Sequence, residues 1–61
     1  MYRVIKVLNN NGVLVYDLKR KEEAILLGNG IGFGKHINER FERDENTKRY
    51  AIVDREEKNR T

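Results

Sequence analysis

The chain has 61 residues, of which 38% are charged, with a net charge of +3 and a pI near 9.5. That length holds one domain whose core is too small to be secure without a staple. With no cysteine and a single histidine, His36, neither disulfides nor a thiolate or histidine metal site can provide one. Self-association is the staple that remains.

The opening residues, Met1-Tyr2-Arg3-Val4, begin no long apolar run, so neither a signal peptide nor a transmembrane helix is expected. The lack of cysteine fits a reducing compartment, and the expected location is cytoplasmic. Mild basicity permits nucleic-acid binding without requiring it.

In chain order, the first predicted strand is Tyr2–Leu8, rich in Val, Ile and Leu. The asparagines Asn9–Asn11 and the Asn11–Gly12 pair that follow are a strong hairpin signal. A second strand spans Val13–Tyr16. Leu18–Glu23, with Lys19-Arg20-Lys21 at its centre, reads as an exposed loop before a third strand, Ala24–Leu27. Gly28–Lys35 then carries four glycines, and the charged segment Glu39–Arg49 has Phe41 as its only large apolar residue. A fourth strand, Arg49–Val53, completes an all-β, four-stranded antiparallel sheet. The domain is drawn at residues 1–54. Residues 55–61 read as a flexible tail or a linker to further domains.

Period-two alternation puts Tyr2, Val4 and Leu8 on one face and Ile5 and Val7 on the other. It opposes Leu14 and Tyr16 to Val13 and Val15, and Ala24 and Leu26 to Ile25 and Leu27. Both faces are therefore apolar, and no helix is predicted to cover either. A face-to-face homodimer is the expected solution.

The glycine run invites a phosphate-loop reading, which its spacing rejects. Asn29 stands where a Walker A loop needs its first glycine, and no Ser or Thr follows Lys35. In a dinucleotide pattern, Phe33 or Lys35 occupies the place of the last glycine. No nucleotide cofactor or other small-molecule ligand is expected. What remains is a backbone able to approach a partner closely, with Phe33 either a stacking platform or a core plug. Asn9–Asn11 are likewise either turn formers or carboxamides for base edges, 2′-hydroxyls and phosphates, with Lys6 supplying a cation on the face of Leu8. Catalysis has no candidate: Ser and Cys are absent, and Thr47 and Thr61 are the only hydroxyl nucleophiles of the Ser/Thr type. No metal site is expected. A small β module that binds protein is the alternative reading.

Lys6-Val7-Leu8-Asn9-Asn10-Asn11, a valine-rich strand, and then Ile25-Leu26-Leu27-Gly28-Asn29-Gly30-Ile31-Gly32-Phe33-Gly34-Lys35 together resemble the N-terminal RNA-binding domain of bacterial antiterminators of the BglG/SacY/LicT class. The resemblance is firmest from Arg3 to His36, loosens from Ile37 to Lys48, and leans toward the glucose-system branch. It implies a four-stranded sheet that dimerises face to face and binds an RNA hairpin with internal loops in the leader of a sugar-utilisation mRNA. Binding there would prevent a terminator stem from forming. Two phosphotransferase-regulated domains normally follow in the family, so this chain reads as an isolated effector domain.

By position, the resemblance assigns RNA-facing roles to Lys6, Asn9 and Asn11 and to Gly28, Asn29, Gly30, Phe33 and Lys35. Asn29 stands where some relatives are basic, and His36 where a second lysine is common.

Overall fold

The computed structural model describes residues 1–52. Within them the secondary structure consists of strands: β1 (Tyr2–Asn9), β2 (Gly12–Asp17), β3 (Glu22–Leu27), β4 (Arg40–Phe41) and β5 (Lys48–Ala51). All pair antiparallel in one sheet of order β4-β1-β2-β3-β5. The expected four strands are therefore five. The addition is β4, a two-residue edge strand on β1 with Tyr2 opposite Phe41 and Arg3 opposite Arg40. Two residues are too few to show alternation, which is why a sequence pattern passes over it. The expected last strand is present as β5, and Val53 and the tail at 55–61 lie outside the described residues.

The β1–β2 turn also differs by one position from its expected place. Asn9 pairs with Gly12, so the turn is Asn10–Asn11, and neither residue has the positive φ that an Asn-Gly hairpin turn would use.

Strict alternation fails in β1. Val4 faces Val15, but the next pair is Lys6 with Leu14, which skips Ile5. This bulge reverses the phase of the strand, so Val7 joins Val4 on the core face instead of opposing it. A second irregularity falls at Leu8, so Lys6 and Leu8 do not share a face by simple counting. The rest of the alternation holds. Val4, Val13, Val15, Ala24 and Leu26 are fully buried, with Tyr2 beside them.

Contrary to expectation, that core face is covered by the chain itself. The connection from β3 to β5 passes over it and packs Ile31 and Phe41 against the core, with the Tyr2 and Phe41 ring centroids 6.0 Å apart. A cover does not have to be a helix. Here a glycine-rich segment carries one aliphatic anchor, and a two-residue strand carries one aromatic anchor.

Among the described residues, nothing covers the opposite face. Register aligns Lys6, Leu14, Ile25 and Tyr50 in one row across four strands, with Arg3, Tyr16 and Glu23 in the adjoining row. The Arg3 guanidinium lies 5.9 Å from the Tyr16 ring centroid. Leu27 and Tyr50 are exposed on this side, and Leu14, Tyr16 and Ile25 are half-buried.

At the β2–β3 end, the Lys19-Arg20-Lys21 loop is exposed as expected, and its scaffold is Asp17. One carboxylate oxygen accepts the N–H groups of Lys19 and Arg20 at 3.0 and 3.1 Å, and the other accepts Arg49 Nη2 at 2.8 Å. Arg49 also pairs with Glu22. Burial pushes the Asp17 carboxyl upward. The backbone bond from Arg20, the Arg49 guanidinium and the Lys19 bond outweigh it, so Asp17 sits below the ordinary carboxylate range. The Arg49 guanidinium is held charged, chiefly by its bond to Glu22.

Candidate nucleic-acid interface

At the other end of the sheet, the Asn9–Asn11 turn and the glycine run form one unit. Asn9 Oδ1 accepts the Asn11 N–H at 2.8 Å, an Asx turn that explains why the chain reverses here without a left-handed residue. Three bonds then tie this turn to the glycine run. Gly28 N–H donates to the Asn11 carbonyl at 3.0 Å, Gly32 N–H to the Asn10 carbonyl at 2.8 Å, and Gly30 N–H to Asn11 Oδ1 at 2.9 Å.

Gly32 lies so close to the Asn9 carbonyl that a Cβ could not be added without moving the backbone. Gly30 has φ +75° and faces open space, so it meets the turn by conformation where Gly32 meets it by proximity.

Within the run, successive i to i+3 bonds (Ile31 N–H to Gly28 carbonyl and Phe33 N–H to Gly30 carbonyl, each 3.0 Å) coil the chain. They turn Ile31 toward the core and Phe33 outward. Phe33 is 76% exposed, which rejects the core-plug reading and leaves a free aromatic face. Asn29 and Gly30 are exposed beside it.

The remaining candidates are held differently. Lys35 is half-buried, its ammonium 4.6 Å from the Phe41 ring centroid, a cation–π contact that fixes the loop's exit. Lys6 is exposed on the open face, paired with Leu14. His36 is exposed, with its backbone N–H bound to the Glu39 carboxylate at 2.9 Å.

Three supports escaped the sequence reading: Gly32, the Asn10 carbonyl and the Asp44–Thr47 turn. Asp44 accepts the Asn46 N–H at 2.9 Å and the Thr47 hydroxyl at 3.1 Å. Thr47 is buried directly beneath Gly28, where an added Cβ would come within 3.1 Å of its hydroxyl. The signal was the Asp-x-Asn-Thr pattern of a side-chain-capped turn, hidden in a segment that reads as solvated charge. A hollow of about 550 Å³ opens between this turn and the glycine run.

A family model of the CAT RNA binding domain matches residues 2–59. The chain belongs to this family. CAT domains are the N-terminal RNA-binding domains of BglG/SacY/LicT antiterminators, non-catalytic modules, and membership implies RNA binding in antitermination. No curated protein and no solved structure gave a match. Among the described residues, no helix is long and apolar enough to cross a membrane.

Proposed function

We propose that this CAT domain binds an RNA hairpin interrupted by internal loops in the leader of a sugar-utilisation mRNA, and so keeps an overlapping terminator stem from forming. The observation that carries this reading is the joining of Asn9–Asn11 to Gly28–Gly32 in one exposed unit, with Phe33 projecting from it.

Each part suits a distorted hairpin. A-form stems hide their base edges in a deep major groove, whereas internal loops offer unstacked bases to an aromatic face and to carboxamides. Phe33 stacks in such a loop, and the exposed backbone at Asn29 and Gly30 lets the sugar–phosphate chain approach. Lys6 and Lys35 add a salt-dependent attraction to phosphates. The reaction is binding alone, in the cytoplasm, with no cofactor.

A homodimer completes the proposal. The open row of Leu14, Ile25 and Tyr50, flanked by Leu27 and Tyr16, is the apolar surface for a second copy, which would present two RNA-facing units. A stable monomer at tens of micromolar in sedimentation equilibrium would refute it.

The central test is a calorimetric titration with an imperfect RNA hairpin, with the same stem fully paired, and with duplex DNA of matching length. Tight, salt-weakened binding of the imperfect hairpin alone is expected. Equal binding of all three would reduce the surface to a general cation patch.

A further inference from the structure

The bonds between the asparagine turn and the glycine run determine which atoms of Asn9 and Asn11 remain for a ligand. A backbone N–H can only donate. The side-chain atom of Asn9 that meets the Asn11 N–H, and the atom of Asn11 that meets the Gly30 N–H, must therefore both be the carboxamide oxygen. Both oxygens are engaged inside the protein. The other branch of each carboxamide is an NH₂ group on an exposed residue, and among the described residues neither NH₂ has a protein acceptor.

We infer that Asn9 and Asn11 meet RNA through their NH₂ groups as hydrogen-bond donors, and that Asn11 uses its two ends at once, the oxygen to position Gly30 and the NH₂ to read the ligand. The inference rests on the RNA-hairpin reading above and sharpens it. The RNA atoms met here are acceptors: phosphate oxygens, base carbonyls, ring N3 or N7, or a 2′-hydroxyl oxygen. Because the same side chain spans both segments, the donor is held in place before RNA arrives, which lowers the ordering cost of the contact.

A carboxylate separates the two roles. Asp at position 11 still accepts the Gly30 N–H but has no donor, whereas Ala loses both functions. The probe is the hairpin that wild-type protein enriches most strongly from a pool of RNA stems with randomised internal loops. Binding is titrated for N11D, N11A and N10D, the last placing the same charge one residue away. Gly30 amide exchange is followed by NMR in each free protein.

Asn11→Asp is expected to keep the Gly30 amide as protected as in wild type while losing affinity on the order of 100-fold, the scale of losing hydrogen bonds to charged or buried partners. Asn11→Ala should lose protection and affinity together, and Asn10→Asp should lose markedly less affinity than Asn11→Asp. Binding by Asn11→Asp within a few-fold of wild type, or an equal loss in Asn10→Asp, overturns the donor assignment. Loss of Gly30 protection in Asn11→Asp overturns the positioning role. If wild type enriches no hairpin, the RNA reading itself fails and this inference falls with it.

Discussion

At the β2–β3 end of the sheet, the turn is organised by a carboxylate. Asp17 takes the N–H groups of Lys19 and Arg20 and the guanidinium of Arg49, all from within the chain. At the β1–β2 end, the same kind of short side chain organises the turn, but as carboxamides whose oxygens accept backbone N–H groups and whose NH₂ groups have no protein acceptor among the described residues. A carboxylate is acceptor-only, so once its oxygens are satisfied and buried it has nothing left to offer a partner. A carboxamide is two-sided and can brace the backbone while still presenting a donor. The first end stabilises the sheet, and the second leaves chemistry open for recognition.

The division can be broken most forcefully at Arg49. Its removal strands the buried Asp17 charge, and Arg49→Met should cost about 3 kcal/mol, the lower end for breaking a buried ion pair since Glu22 is partly exposed. Urea denaturation checks this value. In a chain this short, the loss should lower Tm by more than about 10 °C.

The same cluster sets the acid limit. Because the folded-state pKa of Asp17 is depressed, its contribution is complete above the unfolded carboxylate value of about 3.9 and is lost as pH falls through the folded value. Stability measured from pH 6 to pH 2 should therefore decline below about pH 4, and Asp17→Asn should flatten that decline at the cost of lower stability at neutral pH.

The opposite end should respond in binding rather than in stability. Phe33→Ala is expected to weaken binding of an imperfect hairpin by about 1–3 kcal/mol, the range for losing one stacked base. The urea midpoint should stay within the small range of an exposed substitution, since the ring is 76% exposed.

Asp44→Ala tests the support beneath the glycine run. Losing the cap on Asn46 and Thr47 should cost about 1 kcal/mol of stability and reduce the amide protection of Gly28, read by hydrogen exchange. The smallest effect belongs to Lys6. Lys6→Ala should lower RNA affinity only a few-fold and reduce the slope of log affinity against log salt by about one, the signature of a single phosphate contact.

Much of the candidate interface was legible because its cues are local. The carboxamide trio and the alternating glycines stand out within a few residues each, and their spacing fits neither nucleotide-loop pattern. Their physical union was not legible, since Asn11 and Gly30 are 19 positions apart and meet through a backbone N–H that no residue pattern reports. Phe33 shows the same limit. Its neighbours in sequence allowed both a core plug and a free ring, and only the inward turn of Ile31 decided between them.

By itself, the sequence determined the antiparallel strands, the inward rows of β2 and β3, and the two segments that make up the candidate interface. Those features follow from side-chain alternation and turn chemistry over short spans. Tertiary structure decided the rest. A bulge at Ile5 reversed the phase of β1, and Ile31 and Phe41 closed the face that alternation had left open. Arg49 reached Asp17 across 32 positions, and the bulge left Lys6 beside Leu14 on the open face. The physical reason is common to all four. A strand pattern specifies two faces, but which face is covered, and by what, depends on contacts between segments distant in the chain.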